Sequence, residues 1–219
     1  MRRLVGVLFF VACPAIAAAQ VTQVPSPPRG DVAGTVGWLH VPFASPADSL
    51  WDERWTHHAT ATVTAGLYWT DHWKTELSAS VSNRADAWTT ELLQFGSDTT
   101  YRSATHRIRY SEVSIAQLYQ FGRNDWVHPA IGAGVLVQRR TGESEYSPIV
   151  IPRAPGGGPA LIDPGGLKEL TPRTMAAPFV AAALKAYVTP SAFFRADVQV
   201  AFREDVDAVV LHAGFGIDF

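Results

Sequence analysis

Four charged residues, Glu76, Lys185, Arg195 and Asp197, carry the clearest chemical signal in this 219-residue chain. Each falls on the polar face of a segment that alternates apolar and polar residues. Arg195 and Asp197 are two apart, so on a strand they share a face. Lys185 precedes them across a tight Thr189-Pro190-Ser191 turn. Groups of opposite sign brought together in a closed interior would satisfy one another as ion pairs, with hydrogen bonds offsetting desolvation. That chemistry is structural rather than catalytic.

The seven histidines raise two other possibilities. A metal site needs ligands that converge. His57 and His58 are adjacent, so on a strand they point to opposite faces, and no strict ligand spacing occurs elsewhere. His212 faces inward and has His128 as a candidate neighbour. A hydrolase needs a histidine beside a nucleophile. His106 has Ser103, Ser111 and Glu112 near it in sequence, but both serines are an odd number of residues away and on a strand would face the opposite way. The Gly156-Gly157-Gly158 run lacks the Lys-Ser/Thr pair and following helix of a phosphate loop. No metal and no cofactor are expected. Arg102, Arg107 and Arg109 form a modest basic group at one end of a predicted strand, suited to binding phosphate oxygens.

The elements that position these residues are strands. In Val209 to Phe219, Val209, Leu211, Ala213, Phe215, Ile217 and Phe219 share one face, while Val210, His212, Gly214, Gly216 and Asp218 share the other. Such a period of two marks a strand with one apolar side. The same alternation runs through 54–70, 73–83, 126–140, 174–189 and 192–203. With less regular segments at 31–43 and 102–121, this predicts eight strands. In 102–121 the phase shifts between Tyr110 and Val113, which a β-bulge near Ser111 would explain, as would a strand projecting above the membrane where alternation is no longer enforced.

Connections alternate in length. Short turns fall at 71–72, 122–125 and 189–191. Longer connections fall at 44–53, 84–101 and 141–173, and 204–207 is brief. Residues 149–151 are a possible extra strand inside the longest of these. Strands this long suit a bilayer, which needs about 9–11 tilted residues per crossing. Trp69, Trp73, Phe121 and Trp126 flank the short turns, where an aromatic girdle is expected. Small inward residues (Ser78, Ser80, Gly132, Gly134, Ala181, Ala183) leave room in a narrow bore for the long charged ones.

Residues 1–19 read as a secretory signal peptide: Arg2 and Arg3, an apolar run, then Ala17-Ala18-Ala19. Residues 20–30 are a Pro-rich periplasmic lead-in, and 31–219 form one barrel domain. The only cysteine, Cys13, lies in the leader. Beyond the leader, 16 basic residues face 20 acidic ones, which is no footprint for nucleic acid.

The terminal strand resembles the closing strand of bacterial outer-membrane β-barrels, with Phe219 last and apolar Ile217 and Phe215 two and four residues before it. His128-Pro129-Ala130-Ile131-Gly132-Ala133-Gly134-Val135 and the Lys185–Asp197 hairpin also resemble the small OmpA/OmpX-type barrels. The resemblance implies an all-β fold, an eight-stranded antiparallel up-and-down transmembrane β-barrel in a bacterial outer membrane. It implies little about activity, since barrels of this kind serve as anchors, adhesins, loop scaffolds and occasionally enzymes. The residues themselves point to a monomeric, non-enzymatic scaffold with a plugged polar interior that displays extracellular loops. Phe215, Ile217 and Phe219 would be read by the barrel assembly machinery. Outer-membrane lipid and lipopolysaccharide would be its partners, the latter through Arg102, Arg107 and Arg109. Two alternatives stand beside it: an outer-membrane lipid-modifying hydrolase, and a lipocalin-like secreted binding barrel, whose apolar face would point inward.

Overall fold

The computed structural model describes residues 29–42, 49–52, 55–95, 98–121, 126–151, 160–203 and 206–219. The predicted leader, most of the lead-in, the 122–125 turn and the glycine run at 156–158 lie outside them. The described residues form thirteen strands: β1 (Gly30–Pro42), β2 (Ser49–Asp52), β3 (Trp55–Tyr68), β4 (Trp73–Ser82), β5 (Ala85–Phe95), β6 (Asp98–Gln120), β7 (Val127–Tyr146), β8 (Ile149–Ile151), β9 (Ala160–Asp163), β10 (Gly166–Glu169), β11 (Arg173–Tyr187), β12 (Ala192–Phe202) and β13 (Val206–Asp218).

Eight of them close a ring of antiparallel neighbours in the order β1-β3-β4-β6-β7-β11-β12-β13. The last strand returns to the first, with Asp31 opposite Asp218 and His40 opposite Val209. Backbone bonds seal that seam: Gly30 N–H donates to Phe219 O at 2.9 Å, and Phe219 N–H donates to Gly30 O at 2.9 Å. Closure leaves the ring no free edge, the condition for a sheet in hydrocarbon.

The short turns at 71–72 and 189–191 lie at the end of the barrel that holds residues 29 and 219. Thr70 Oγ1 accepts from the backbone of His72 and Trp73, and Thr189 Oγ1 accepts from Ala192 N–H. A threonine hydroxyl thus holds each turn closed. At the opposite end β6 and β7 run on past the ring. β5 pairs with the upper part of β6, and β2 pairs with β5. β10 pairs with the upper part of β7. The predicted long connections at 44–53, 84–101 and 141–173 therefore contain strands, including β8 at 149–151, paired with β9.

The bulge expected near Ser111 is absent. β6 keeps one register against β4 and one against β7 throughout. Ile108 and Tyr110 face inward and are fully buried, while Val113 and Ile115 face outward and are exposed. The apparent phase shift arises because the inside of the barrel is itself apolar at that height.

The outer wall is the apolar one. Val36, Val63, Leu77, Val113, Val135, Val180, Leu211 and Phe215 are all exposed on it. Trp69, Trp73, Phe121 and Trp126 ring its short-turn end, and Trp38 stands near the other. The lower half of the inside holds ions and hydroxyls. Its upper half holds a cluster that includes Leu39, Val41, Ile108, Tyr110, Leu136, Phe179 and Val210. The polar interior expected from sequence is thus only half right: apolar side chains line the bore above the charges. The lipocalin alternative needs the opposite arrangement, an apolar inside and a polar outside, and does not describe this wall.

Candidate functional site: the interior charge network

Alternation turns Lys74 and Glu76 on β4, Lys185 on β11, Arg195 and Asp197 on β12, and His212 and Asp218 on β13 toward the bore. Ring closure adds Asp31 of β1. Glu76 and Arg195 are only 4 % and 2 % exposed. Arg195 grips Glu76 with both terminal nitrogens, at 2.6 and 2.7 Å, and its Nε donates to Asp197 at 2.8 Å. The planar guanidinium suits this forked contact, which an ammonium could not make.

The other Asp197 oxygen meets His212 Nδ1 at 2.9 Å, and His212 Nε2 lies 3.1 Å from Thr62 Oγ1. A carboxylate only accepts, so Nδ1 carries the proton here. Gly37 makes room for this ring: a Cβ there would sit 2.3 Å from His212 Cδ2.

Lys74 ties the group to a second cluster. It lies 2.6 Å from Glu76 and 2.8 Å from Asp31. Lys185 also pairs with Asp31, reaches Asp218 at 2.9 Å and donates to Tyr68 at 2.7 Å. Tyr68 O–H in turn donates to Asp31, and Tyr187 O–H to Asp218. The Lys185 ammonium stands 4.0 Å from the centroid of the buried Phe193 ring, a cation–π contact. Gly66 leaves the space for Asp31 and Lys74, since a Cβ there would come within 2.3 Å of the Asp31 carboxylate.

The four residues singled out from sequence therefore divide. Glu76, Arg195 and Asp197 touch directly. Lys185, although opposite Arg195 in the ladder, joins the neighbouring cluster and connects only through Asp31 and Lys74. Sequence reasoning missed Asp31, Lys74, Tyr68, Tyr187 and Asp218 as members. Lys74 and Asp218 already stood on polar faces. Asp31 had no visible signal, because the phase of its strand was not legible. The network counts three cationic side chains, Lys74, Lys185 and Arg195, against four carboxylates, Asp31, Glu76, Asp197 and Asp218, with His212 on Asp197. The voids beside it are small. One of about 20 Å³ touches Lys74, Lys185 and Arg195, and one of about 10 Å³ lies higher, beside Glu112 and Gln138.

The basic group is split by the same alternation. Arg107 and Arg109 face outward and are exposed, with Arg107 loosely opposite Asp86, Glu143 and Glu145 at 3.6–3.7 Å. Arg102 faces the other side of the sheet. It pairs with Glu91 at 2.8 Å and Asp163 at 3.3 Å and lies over the Tyr146 ring. An even number against two odd ones makes this unavoidable. Arg139, not singled out from sequence, stands opposite Ser111 and shares the outward face with Arg109.

The histidines are dispersed. His128 meets Gln120 near the short-turn end and is no neighbour of His212. His106 bonds Ser144 Oγ at 2.7 Å and Thr89 Oγ1 at 2.8 Å, rather than Ser103 or Ser111. Burial holds the His106 imidazole below its ordinary basicity; Glu91 opposes that fall and Arg140 adds to it. Ser144 is only 1 % exposed, so no substrate reaches its hydroxyl while the sheet is intact. Among the described residues, no three His, Cys, Asp or Glu side chains converge as a metal site.

No protein-family model matches this sequence, and no curated protein is significantly similar to it. Solved structures do resemble it. OprG, an outer-membrane protein of Pseudomonas aeruginosa, superposes with a TM-score of 0.52 at 15 % identity, over 88 % of this chain and 97 % of that one. Neisserial surface protein A gives 0.51 at 12 % identity, over 87 % and 97 %. Eight strands in a closed antiparallel ring, with an apolar wall outside and ion pairs within, give this chain the fold of the small eight-stranded outer-membrane β-barrels.

Proposed function

We propose that the protein is a non-enzymatic, monomeric outer-membrane barrel, a sealed scaffold that carries a small extracellular sheet. The inverted wall is the observation that supports this reading most strongly: buried ion pairs inside, exposed branched aliphatics and rings outside. In water that outer surface would be a far larger apolar patch than soluble monomers tolerate. In a bilayer it is the solvated side. Residues 1–19 serve as the export signal on this reading. The extensions of β6 and β7, with β5 and β10, stand clear of the membrane on the exterior. Arg107 and Arg109, joined by Arg139, lie where lipopolysaccharide phosphates would meet them.

A bore filled by the Arg195 network below and by Leu39, Tyr110, Phe179 and Val210 above has no continuous water path. Reconstituted into planar bilayers, the protein should give no steady conductance. A stable channel of porin size would contradict the sealed interior.

Phe215, Ile217 and Phe219 all point outward at the closing seam, Phe215 and Phe219 being 68 % and 73 % exposed. They are presented where an assembly factor can read them. Deleting Phe219 should lower the amount of inserted barrel severalfold in cells while the folded remainder keeps its stability, measured by heat-modifiable migration. Normal surface levels of the deletion variant would remove the assembly role.

A further inference from the structure

Two histidines on the outer wall meet in a way that barrel closure does not require. β1 and β3 are registered so that His40 stands opposite His57. Even positions of β1 and odd positions of β3 both face outward, which places the two imidazoles side by side. Their ring centroids are 4.1 Å apart, with planes at 78°. The Trp38 indole stacks near His57, at 6.2 Å and 30°. His58 takes no part; it points into the barrel toward Thr56 and Asn83.

The height of the pair matters. Below it the outward residues of these strands are Val32, Gly34 and Val36 on β1 and Leu67, Ala65, Val63, Ala61 and Ala59 on β3. Trp38 comes next, and the histidines stand just beyond it, with His57 exposed and His40 half-buried. Ions from water can reach them there, whereas the lipid belt is closed to ions.

Two ring nitrogens need to approach to roughly 3 Å to share a metal at bonds of about 2.0–2.1 Å. Outward side chains directly opposite one another on antiparallel strands have Cβ atoms about 4.5–5.5 Å apart, a spacing from which two imidazoles can converge on one ion, and these two rings already lie with centroids 4.1 Å apart. We infer that His40 and His57 form a surface site for a borderline divalent transition-metal cation, copper(II) ahead of zinc(II), with water filling the remaining positions. Imidazole nitrogens select these ions over calcium or magnesium, and copper(II) stands at the top of the divalent series. With two protein ligands the site is exchangeable, unlike a four-ligand structural zinc site. The chain beyond its leader has no cysteine to compete.

The test uses the folded barrel in detergent micelles, titrated with copper(II) chloride by calorimetry. One ion per barrel should bind, with a Kd of about 0.1 mM or tighter. His40→Ala and His57→Ala should each weaken binding at least about tenfold, and His72→Ala, at the opposite end, should leave it unchanged. Bound copper should quench tryptophan fluorescence, and Trp38→Phe should remove most of that quenching without loss of affinity. Electron paramagnetic resonance of the wild-type complex should show two coordinated nitrogens, a readout that needs no variant to fold. Binding that survives the His40→Ala/His57→Ala double variant, binding lost equally in His72→Ala, a signal without two nitrogens, or no saturable binding would each overturn the inference.

Discussion

Replacing Arg195 by Leu should destabilise the barrel by about 3–5 kcal/mol, the usual cost of removing one partner from a buried ion pair. The size follows from what would be left behind. Glu76 would lose both of its bonds to the guanidinium, and Asp197 would lose the bond to Nε. Both carboxylates are buried, and the void beside them has room for about one water. Lys74 would still reach Glu76, and His212 would still reach Asp197, so the loss stops short of two bare charges. Arg195→Met combined with Glu76→Gln should recover a substantial part of the loss, because the pair as a whole is worth less than either orphaned half. Urea unfolding of the protein refolded into phospholipid vesicles measures both. A single variant within about 1 kcal/mol of wild type would mean that the network is solvated and the bore open.

Much of this architecture is legible in the sequence. The alternation in β3 and β13 fixed which face of each strand is apolar, because a period of two leaves no freedom once one face is assigned. Asp71-His72 and Thr189-Pro190-Ser191 mark two of the tight turns. Arg195 and Asp197, two apart on one strand, had to share a face, and Glu76 lay on the polar face of β4. What escaped was set by pairings between distant segments. Asp31 enters the network only because β13 closes against β1, and neither the closure nor its register is written locally in 31–43. Lys185 was matched with Arg195 because they are neighbours across a turn. Its partners instead come from β1 and β13. The upper half of β6 misled for a different reason. Ile108 and Tyr110 are apolar and inward, so the rule that polar means inside, which holds beside Glu76, fails beside Leu39 and Val210. β5 escapes notice because its buried face carries the small Ala87 and the polar Thr89 while Trp88 and Leu92 stand on the exposed one, so no apolar face marks it as a strand. The pairing of His40 with His57 was hidden too: each was visible, but their register was not.

Hydrocarbon, not water, should surround the wall bearing Val63. Val63 lies near the middle of the apolar belt on β3, exposed beside Gly34 and Ala79, and His57 lies on the same face of the same strand, three outward positions higher. An arginine on the lipid face costs about 2–4 kcal/mol at the bilayer midplane and about 0–1 kcal/mol near the interface. On a water-exposed surface either change would fall within about 0.5 kcal/mol. The decisive measurement is urea unfolding of Val63→Arg and His57→Arg, each refolded into phospholipid vesicles. A loss of about 2–4 kcal/mol for Val63→Arg, with less than about 1 kcal/mol for His57→Arg, is the predicted result. Two variants equal to each other and to wild type would contradict a lipid-facing wall.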